Sequence, residues 1–118
     1  MKYLCLVYHE EGTLEALSKS EYDALVDEAL AYRDELERGG RGISAHALQP
    51  VETAITLRVR NGNVSMTDGP FVETKEQLGG YYLIEATDLN DAIRLASKIP
   101  SARLGGIEVR PVQELRPE

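Results

Sequence analysis

The chain has 118 residues, of which 42% are hydrophobic and 28% are charged, and its formal net charge is -7. This length and composition are typical of one folded domain with a hydrophobic core. The acidic balance argues against nucleic acid or an anionic membrane as a partner, and no apolar run approaches the roughly 20 residues of a transmembrane helix.

The amino terminus and the single cysteine bear on localisation. The apolar run of residues 3–8 is short and is followed at once by His9, Glu10 and Glu11, which does not fit a signal peptide. Because Cys5 is the one cysteine, an internal disulfide is excluded, as is usual in a reducing compartment. We therefore predict a cytoplasmic protein in which Cys5 is a buried, unreactive side chain.

The first predicted element is a strand over residues 3–8, which read YLCLVY. Its alternating positions are apolar on both faces, and no polar face is left for solvent. This pattern is typical of a strand that is covered on both sides.

A helix is predicted after this strand. Ser18 and Glu21 have the spacing of a capping box, in which each side chain bonds a free backbone N–H of the other residue. Leu17 and Tyr22 have the spacing of a hydrophobic staple across the same cap. Residues 39–40 are both glycine and should end the helix, because glycine takes the left-handed backbone conformation without strain.

A second strand and a hairpin follow. Residues 42–49 (GISAHALQ) predict a strand that Pro50 ends, and residues 53–60 alternate between apolar and polar side chains. Residues 61–62 are Asn-Gly, a strong hairpin signal because both residues tolerate positive φ. The predicted cross-strand pairs are Val59–Val64 and Leu57–Met66 on one face and Arg58–Ser65 and Thr56–Thr67 on the other.

The stretch of residues 68–86 reads DGPFVETKEQLGGYYLIEA and is the most distinctive part of the chain. Residues 68–70 (DGP) are a turn signal, and the glycines at 79–80 lead into residues 81–84, which have strong strand preference. A charged loop between two strands, with an aromatic residue (Phe71) that we predict to be buried, is a natural place for a site.

The remaining elements complete a recognisable order. Asp88 should cap a helix over residues 89–99, which Pro100 stops. Residues 107–112 (IEVRPV) predict the last strand. With the hairpin set aside as an insertion, the order is βαββαβ, so we predict an α+β, ferredoxin-like fold.

The strand composition also predicts a homodimer. Two helices cover only one face of such a sheet, yet residues 3–8 and 81–84 are apolar on both faces. A second copy of the chain is the simplest cover for the other face, because a two-fold dimer buries it with self-complementary contacts.

The stretch DGPFVETKEQLGGYYLIEA resembles the signature of the DGPF subgroup of YCII-related proteins. The segments MKYLCLVY, LQPVETAITLRVRNG and GGIEVRPV are similar to that family too, so the resemblance covers residues 1–118 as a single domain. It implies a ferredoxin-like fold that assembles as a dimeric α/β barrel, with the sheets face to face around a central cleft.

The resemblance implies less about function. Many members are uncharacterised bacterial proteins, and some DGPF members are similar to products encoded beside extracytoplasmic-function sigma factors. Other YCII-related proteins carry a His–Asp pair proposed for acid–base chemistry, with the histidine on the first helix. The first predicted helix here contains no histidine and offers Glu28 in that region, so that pair cannot be transferred to this chain.

Asp68 and His46 are the candidate catalytic residues. In a partly closed cleft the Asp68 carboxylate would act as a general base or hydrogen-bond acceptor. The alternative is that it only bonds backbone N–H groups of its own turn. His46 alternates with Ala45 and Ala47, so its ring could face the cleft. The alternative, a structural or surface role, applies equally to His9.

Candidate ligand-binding residues surround this turn and the neighbouring strands. Surface ion pairs or dimer contacts are the alternatives for the charged candidates, and a core or dimer position is the alternative for the tyrosine. For the arginine of the last strand, the alternative is an ion pair with Glu85 or Glu108. The candidates are Phe71, Glu73, Lys75, Tyr81 and Arg110.

The sequence carries no cofactor or metal motif. Its two histidines lack metal-ligand spacing, and the double glycines match no phosphate-binding loop. We therefore expect neither a metal nor a cofactor. Three functions stay open: an acid–base enzyme for a small molecule, a small-molecule binding module without turnover, and a structural or regulatory partner linked to a sigma factor.

Overall fold

The structure is a computed structural model that describes residues 1–116, which form an α+β architecture. No helix in this range is both long and apolar enough to cross a membrane. The helices are α1 (Lys19–Arg38) and α2 (Leu89–Ala96), with short 3-10 turns at Val51–Thr53 and Pro100–Arg103. The strands are β1 (Lys2–Glu10), β2 (Gly42–Ala47), β3 (Ile55–Arg60), β4 (Asn63–Asp68), β5 (Glu76–Glu85) and β6 (Gly106–Pro111).

Four strands form the main sheet in the order β2-β5-β1-β6, and each neighbouring pair is antiparallel. Strands β1 and β2 are joined by α1 along the chain but are separated in the sheet by β5. This is the split βαβ connection of ferredoxin-like folds. The predicted α+β class is therefore confirmed, and the sheet order has the ferredoxin-like pattern.

The core lies between one face of this sheet and the two helices. The Tyr32 hydroxyl of α1 donates a hydrogen bond to the carbonyl oxygen of Leu95 in α2 at 2.6 Å, which fixes the helices against each other. Burial raises the pKa of Tyr32 to about 12, because the charged phenolate is disfavoured there. The buried apolar residues are Tyr3, Cys5, Val7, Tyr32, Leu36, Ile84, Ala86, Ala92, Leu95, Ala96 and Ile99.

Cys5 is fully buried in this core, which confirms its predicted position. Burial raises the pKa of the thiol to about 11, so the reactive thiolate is scarce near neutral pH.

The predicted start and end of α1 are both confirmed. Ser18 Oγ accepts a hydrogen bond from the Glu21 backbone N–H at 3.1 Å, and Glu21 Oε1 accepts one from the Ser18 N–H at 2.9 Å. The helix ends at Arg38 and is followed by Gly39 as its cap. Gly40 has a φ of 71°, a conformation that favours glycine.

The β3–β4 hairpin has the predicted register at each of the four cross-strand pairs. Asn61 and Gly62 form its turn with φ values of 53° and 78°. Among the described residues, the two strands form a separate two-stranded sheet. The radius of gyration is 16.2 Å, against roughly 13–14 Å for a compact chain of this length, so the molecule is spread out.

Two predictions about residues 68–86 were wrong. Strand β5 begins at Glu76 rather than after the glycines at 79–80, because β1 extends to Glu10 and continues the ladder that far. Phe71 is 66% exposed rather than buried, since the turn places its ring against Arg58 of the hairpin instead of the core.

Five boundary predictions also differ from the structure. Strand β1 spans Lys2–Glu10 rather than 3–8, and β3 begins at Ile55 rather than at residue 53. Helix α2 ends at Ala96, three residues early, because hydrogen bonds of the tighter i to i+3 type follow it, including Ile99 N–H to the Ala96 carbonyl. Strand β2 ends at Ala47 rather than residue 49, and β6 spans Gly106–Pro111 rather than 107–112.

Asp91 joins α2 to the edge of the main sheet. Its carboxylate accepts hydrogen bonds from the Thr87 N–H at 2.9 Å and from Arg94 at 2.8 Å, and it pairs with the Arg41 guanidinium. Arg41 in turn donates to the Glu85 carbonyl at 2.9 Å. The Thr87 N–H first, and then the two arginines, hold the pKa of Asp91 at about 2.

We expect Asp91→Asn to lower the free energy of unfolding at neutral pH. Because the folded-state pKa lies below its ordinary value of 3.8, the stabilisation is complete above about pH 4 and is lost as pH falls towards 2. Urea unfolding of both proteins at pH 7 and pH 3 checks this: the deficit of the variant should shrink at pH 3. A deficit that stays constant between these pH values would show that the carboxylate charge is not its source.

Candidate functional site

Asp68 lies at the end of β4 and is exposed. The turn that follows is held by other groups: the Gly69 N–H donates to the Ala54 carbonyl at 2.8 Å, and the Thr56 hydroxyl donates to the Gly69 carbonyl at 2.9 Å. Gly69 has a φ of 107°, which favours glycine. Within residues 1–116 no hydrogen bond of the Asp68 carboxylate is found, so the turn is held without it.

The candidates that follow Asp68 lie on the surface. The Arg58 guanidinium stacks over the Phe71 ring at 4.7 Å from its centre, a cation–π contact. Lys75 pairs with Glu10 at 3.4 Å, with the Lys75 side chain 82% exposed, and Glu73 is exposed as well. An ion pair this exposed contributes little stability.

Three other candidates lie on the sheet face that points away from the helices. The His46 ring on β2 lies 5.8 Å from the Tyr81 ring on β5, centre to centre. The Ser44 hydroxyl donates to the Tyr81 hydroxyl at 3.3 Å. Arg110 pairs with Glu108 at 2.6 Å, one of the two alternatives expected for it. The structure thus brings His46 and Tyr81 together but not with Asp68.

A cleft lies elsewhere, beside the end of β1. Its volume is about 710 Å3. One wall is the loop before α1 with the first turn of that helix, and the opposite wall is the segment after β2. None of the residues predicted to form a site lines it. The lining residues are His9, Glu11, Gly12, Leu14, Glu15, Leu17, Lys19, Tyr22, Ala47, Leu48, Gln49, Pro50, Val51, Glu52, Gln77, Leu78 and Gly79.

The walls of the cleft combine apolar surface with a few polar groups. The two residues predicted as a hydrophobic staple, Leu17 and Tyr22, both line it, so the cap that starts α1 also shapes this wall. The lining includes three carboxylates, those of Glu11, Glu15 and Glu52, and one amine, that of Lys19. This charge balance disfavours an anionic ligand.

His9 is the histidine of the cleft, and Gly79 makes room for it. A Cβ atom at Gly79 would collide with His9 Nε2 and would lie 2.9 Å from Cδ2. The ring therefore occupies the space that any side chain at residue 79 would need.

The contact of the His9 ring with the Glu10 carbonyl favours one tautomer. Nδ1 lies 3.3 Å from the Glu10 carbonyl oxygen, and a carbonyl oxygen can only accept. In the tautomer that donates to this carbonyl, Nδ1 carries the hydrogen and Nε2 has the free lone pair. The ring can accept a proton or a hydrogen bond at Nε2.

The position of His9 follows from a signal that is present in the sequence. Tyr3, Cys5 and Val7 of β1 share the face that packs against the helices, and residue 9 continues the same alternation. The cleft itself could not be predicted from the alternation of residues along the strand, because it depends on how the segment after β2 packs against the loop before α1.

No group of three or more His, Cys, Asp or Glu side chains within residues 1–116 is arranged to hold a metal ion.

Residues 1–116 match the family model described as the YCII-related domain. The chain belongs to the YCII-related family. A relative in Rhizobium meliloti (strain 1021) is 35% identical over 119 residues, which cover 99% of this chain and 96% of that protein, and it is described as uncharacterized.

A solved structure shares the fold of this YCII-related chain. It is 5-chloro-2-hydroxyhydroquinone dehydrochlorinase from Burkholderia phenoliruptrix AC1100, in complex with 2,5-dihydroxybenzoquinone. The TM-score is 0.55 at 16% sequence identity, and the match covers 96% of this chain and 94% of the other. At this identity the likeness shows the fold alone.

Proposed function

We propose that this protein is a DGPF-type member of its family that binds or transforms a small molecule, and that it works as a cytoplasmic homodimer. The observation that carries the proposal is the cleft beside His9. Its volume of about 710 Å3 lies within the range of about 300–1,000 Å3 that is usual for small-molecule sites.

The lining predicts the class of ligand. Leucine side chains and Tyr22 offer apolar contact, while the Gln49 amide offers hydrogen bonds of both kinds. The Gln77 amide N–H groups already donate to the Val72 and Thr74 carbonyls, so Gln77 offers only its oxygen as an acceptor. Because carboxylates outnumber amines around the cleft, we expect a neutral or cationic molecule with an apolar body.

His9 is the group that would support chemistry in this cleft. Its Nε2 would accept a proton from a hydroxyl or N–H group of the bound molecule, and the resulting imidazolium would keep the Nδ1 hydrogen bond to the Glu10 carbonyl. Asp68 and His46 lie outside the cleft, and their catalytic roles stay predictions. The same holds for the ligand contacts predicted for Phe71, Glu73, Lys75, Tyr81 and Arg110.

The Burkholderia neighbour supports this reading in one respect. Its structure holds 2,5-dihydroxybenzoquinone, a small ring compound. A chain with this fold therefore accommodates a ligand small enough for the cleft.

The homodimer belongs to the same proposal. The buried core lies on the helix side of the sheet, whereas Leu4, Leu6, Tyr81 and Leu83 on the other face are only half-buried. A second sheet packed on this face would complete the dimeric α/β barrel, with the β3–β4 hairpin as an insertion in a single ferredoxin-like domain.

A thermal-shift screen tests the proposed function. A library divided into neutral, cationic and anionic small molecules should yield hits in the first two groups, since a bound ligand raises the apparent melting temperature. Each hit is then tested on His9→Gln and, as a control outside the cleft, His46→Gln. Loss of the shift in the first variant alone is expected. Hits that are mainly anionic, or that survive His9→Gln unchanged, would contradict the proposal.

A further inference from the structure

Gln77 joins the charged stretch after Asp68 to the cleft beside His9. It lies in β5, is the cross-strand partner of His9 and lines the cleft. Its Nε2 donates to the Val72 carbonyl at 3.0 Å and to the Thr74 carbonyl at 2.9 Å. Residues 72–74 are therefore hydrogen-bonded to a side chain in the wall of the cleft.

These two hydrogen bonds fix the orientation of the Gln77 amide. A carbonyl oxygen can only accept, so an amide turned by half a rotation would place its own oxygen against two others. Both N–H groups are thus used inside the protein. Within residues 1–116 no group donates to Oε1, and this oxygen is not buried. Oε1 is the hydrogen-bonding atom that Gln77 has left for a ligand.

The segment that receives these hydrogen bonds is itself attached to both neighbouring strands. The Thr74 hydroxyl donates to the carbonyl of Glu76, the first residue of β5. Lys75 pairs with Glu10 of β1 at 3.4 Å. These contacts keep residues 72–74 beside the amide, so they act on the position of Oε1 without touching the cleft.

His9 supplies a second acceptor on the same side of the sheet. Its Nε2 has the free lone pair in the tautomer that donates to the Glu10 carbonyl, and it occupies the space that a side chain at residue 79 would need. Residues 77 and 79 point to the same side of β5 and are roughly 6–7 Å apart along the strand. One small molecule is long enough to reach both acceptors.

We infer that the ligand of this cleft carries two O–H or N–H donors, one for His9 Nε2 and one for Gln77 Oε1. The inference rests on the proposed function and adds the substrate class and the residue that selects it. A molecule without these donors leaves two acceptors unpaired in the complex, which costs affinity. Neutral diols and amidinium cations share this donor chemistry, and neither carries the negative charge that the carboxylates of the cleft disfavour.

The test compares each donor probe with a compound of the same charge that has no donor. Resorcinol is compared with 1,3-difluorobenzene, and benzamidine with trimethylphenylammonium. Dissociation constants are measured by nuclear magnetic resonance titration of the wild-type protein at pH 8, where imidazole is neutral. With about tenfold for each hydrogen bond, the donor probe should bind about 100-fold more tightly in at least one pair.

The two pairs also separate the two sources of the donors. A preference in the resorcinol pair indicates a neutral ligand, and one in the benzamidine pair indicates a cation; either supports the inference. Equal affinities within both pairs, or no binding of either donor probe, would overturn it. Hits of other chemistry from the thermal-shift screen that depend on His9 would then leave the proposed function standing.

Gln77→Met tests the residue itself, because methionine has a similar length and no amide oxygen. We expect the preference for the donor probe to fall about tenfold, while the affinity for the compound without donors stays unchanged. Equal losses for both compounds would show a structural role and overturn the assignment of Gln77. Gln113→Met is the matched control, exposed and outside the cleft, and should keep the wild-type preference. If Gln77→Met does not fold, the wild-type comparison still decides whether the ligand needs two donors.

Discussion

Gly105→Ala is expected to lower the free energy of unfolding by about 3 kcal/mol, the upper part of the usual range for overpacking. A Cβ atom at this residue would collide with the carbonyl oxygen of Tyr8 and lie 2.9 Å from the Cα of His9. These are backbone atoms of β1, at the centre of the main sheet, so they cannot rotate away as a side chain can. For a domain of this size the melting temperature should fall by roughly 10 °C.

The neighbouring glycine provides the matched control for Gly105. A Cβ atom at Gly106 would have nothing within 4 Å, so Gly106→Ala should leave the stability within about 0.5 kcal/mol of the wild type. Urea unfolding of the three proteins makes the comparison. Equal stabilities for the two variants would show that the close approach of residue 105 to β1 is absent in solution.

Gly79→Ala is expected to weaken ligand binding in the cleft by at least about tenfold, the value of one good hydrogen bond. The added methyl group takes the space of the His9 ring, so the imidazole must rotate and Nε2 leaves its position. The cost in stability should be smaller than for Gly105→Ala, because a side chain can move where a strand cannot.

A double-mutant cycle separates this effect from a general disturbance of the strand. In a His9→Ala background the ring is gone, so Gly79→Ala should cause no further loss of affinity for a hit from the ligand screen. Isothermal titration of the four proteins gives the coupling. Additive losses would mean that residue 79 acts on the ligand directly or through β5, and not through His9.

Local signals in the sequence predicted much of this fold. The capping box at Ser18 and the Asn-Gly turn at 61–62 depend on neighbours within a few residues, and both were confirmed. Strand β5 was predicted too short, because its first residues include the polar Glu76 and Gln77 and two glycines, which have weak strand preference. They join the sheet because β1 is long enough to pair with them, a contact between residues more than 60 apart along the chain.

The candidate site was harder to predict than the fold. The unusual composition of the charged stretch after Asp68 predicted a site there. The structure instead places Asp68, Phe71 and Lys75 at the surface. The cleft is built from three separate segments whose residues are individually ordinary. Strand alternation alone places His9 on the correct face of β1. The room for its ring depends on the missing side chain of Gly79, which lies next to His9 only in the folded protein.

Nuclear magnetic resonance can show directly whether the ligand binds in the cleft beside His9. Backbone amide shifts of the wild-type protein would be recorded as a hit from the screen is added. We predict that the largest changes fall on the cleft, at residues such as Leu14, Leu48 and Leu78, together with the His9 ring. Shift changes centred on Asp68 and Phe71, with the signals of the cleft residues unchanged, would show that the ligand binds at the turn after β4 and not in the cleft.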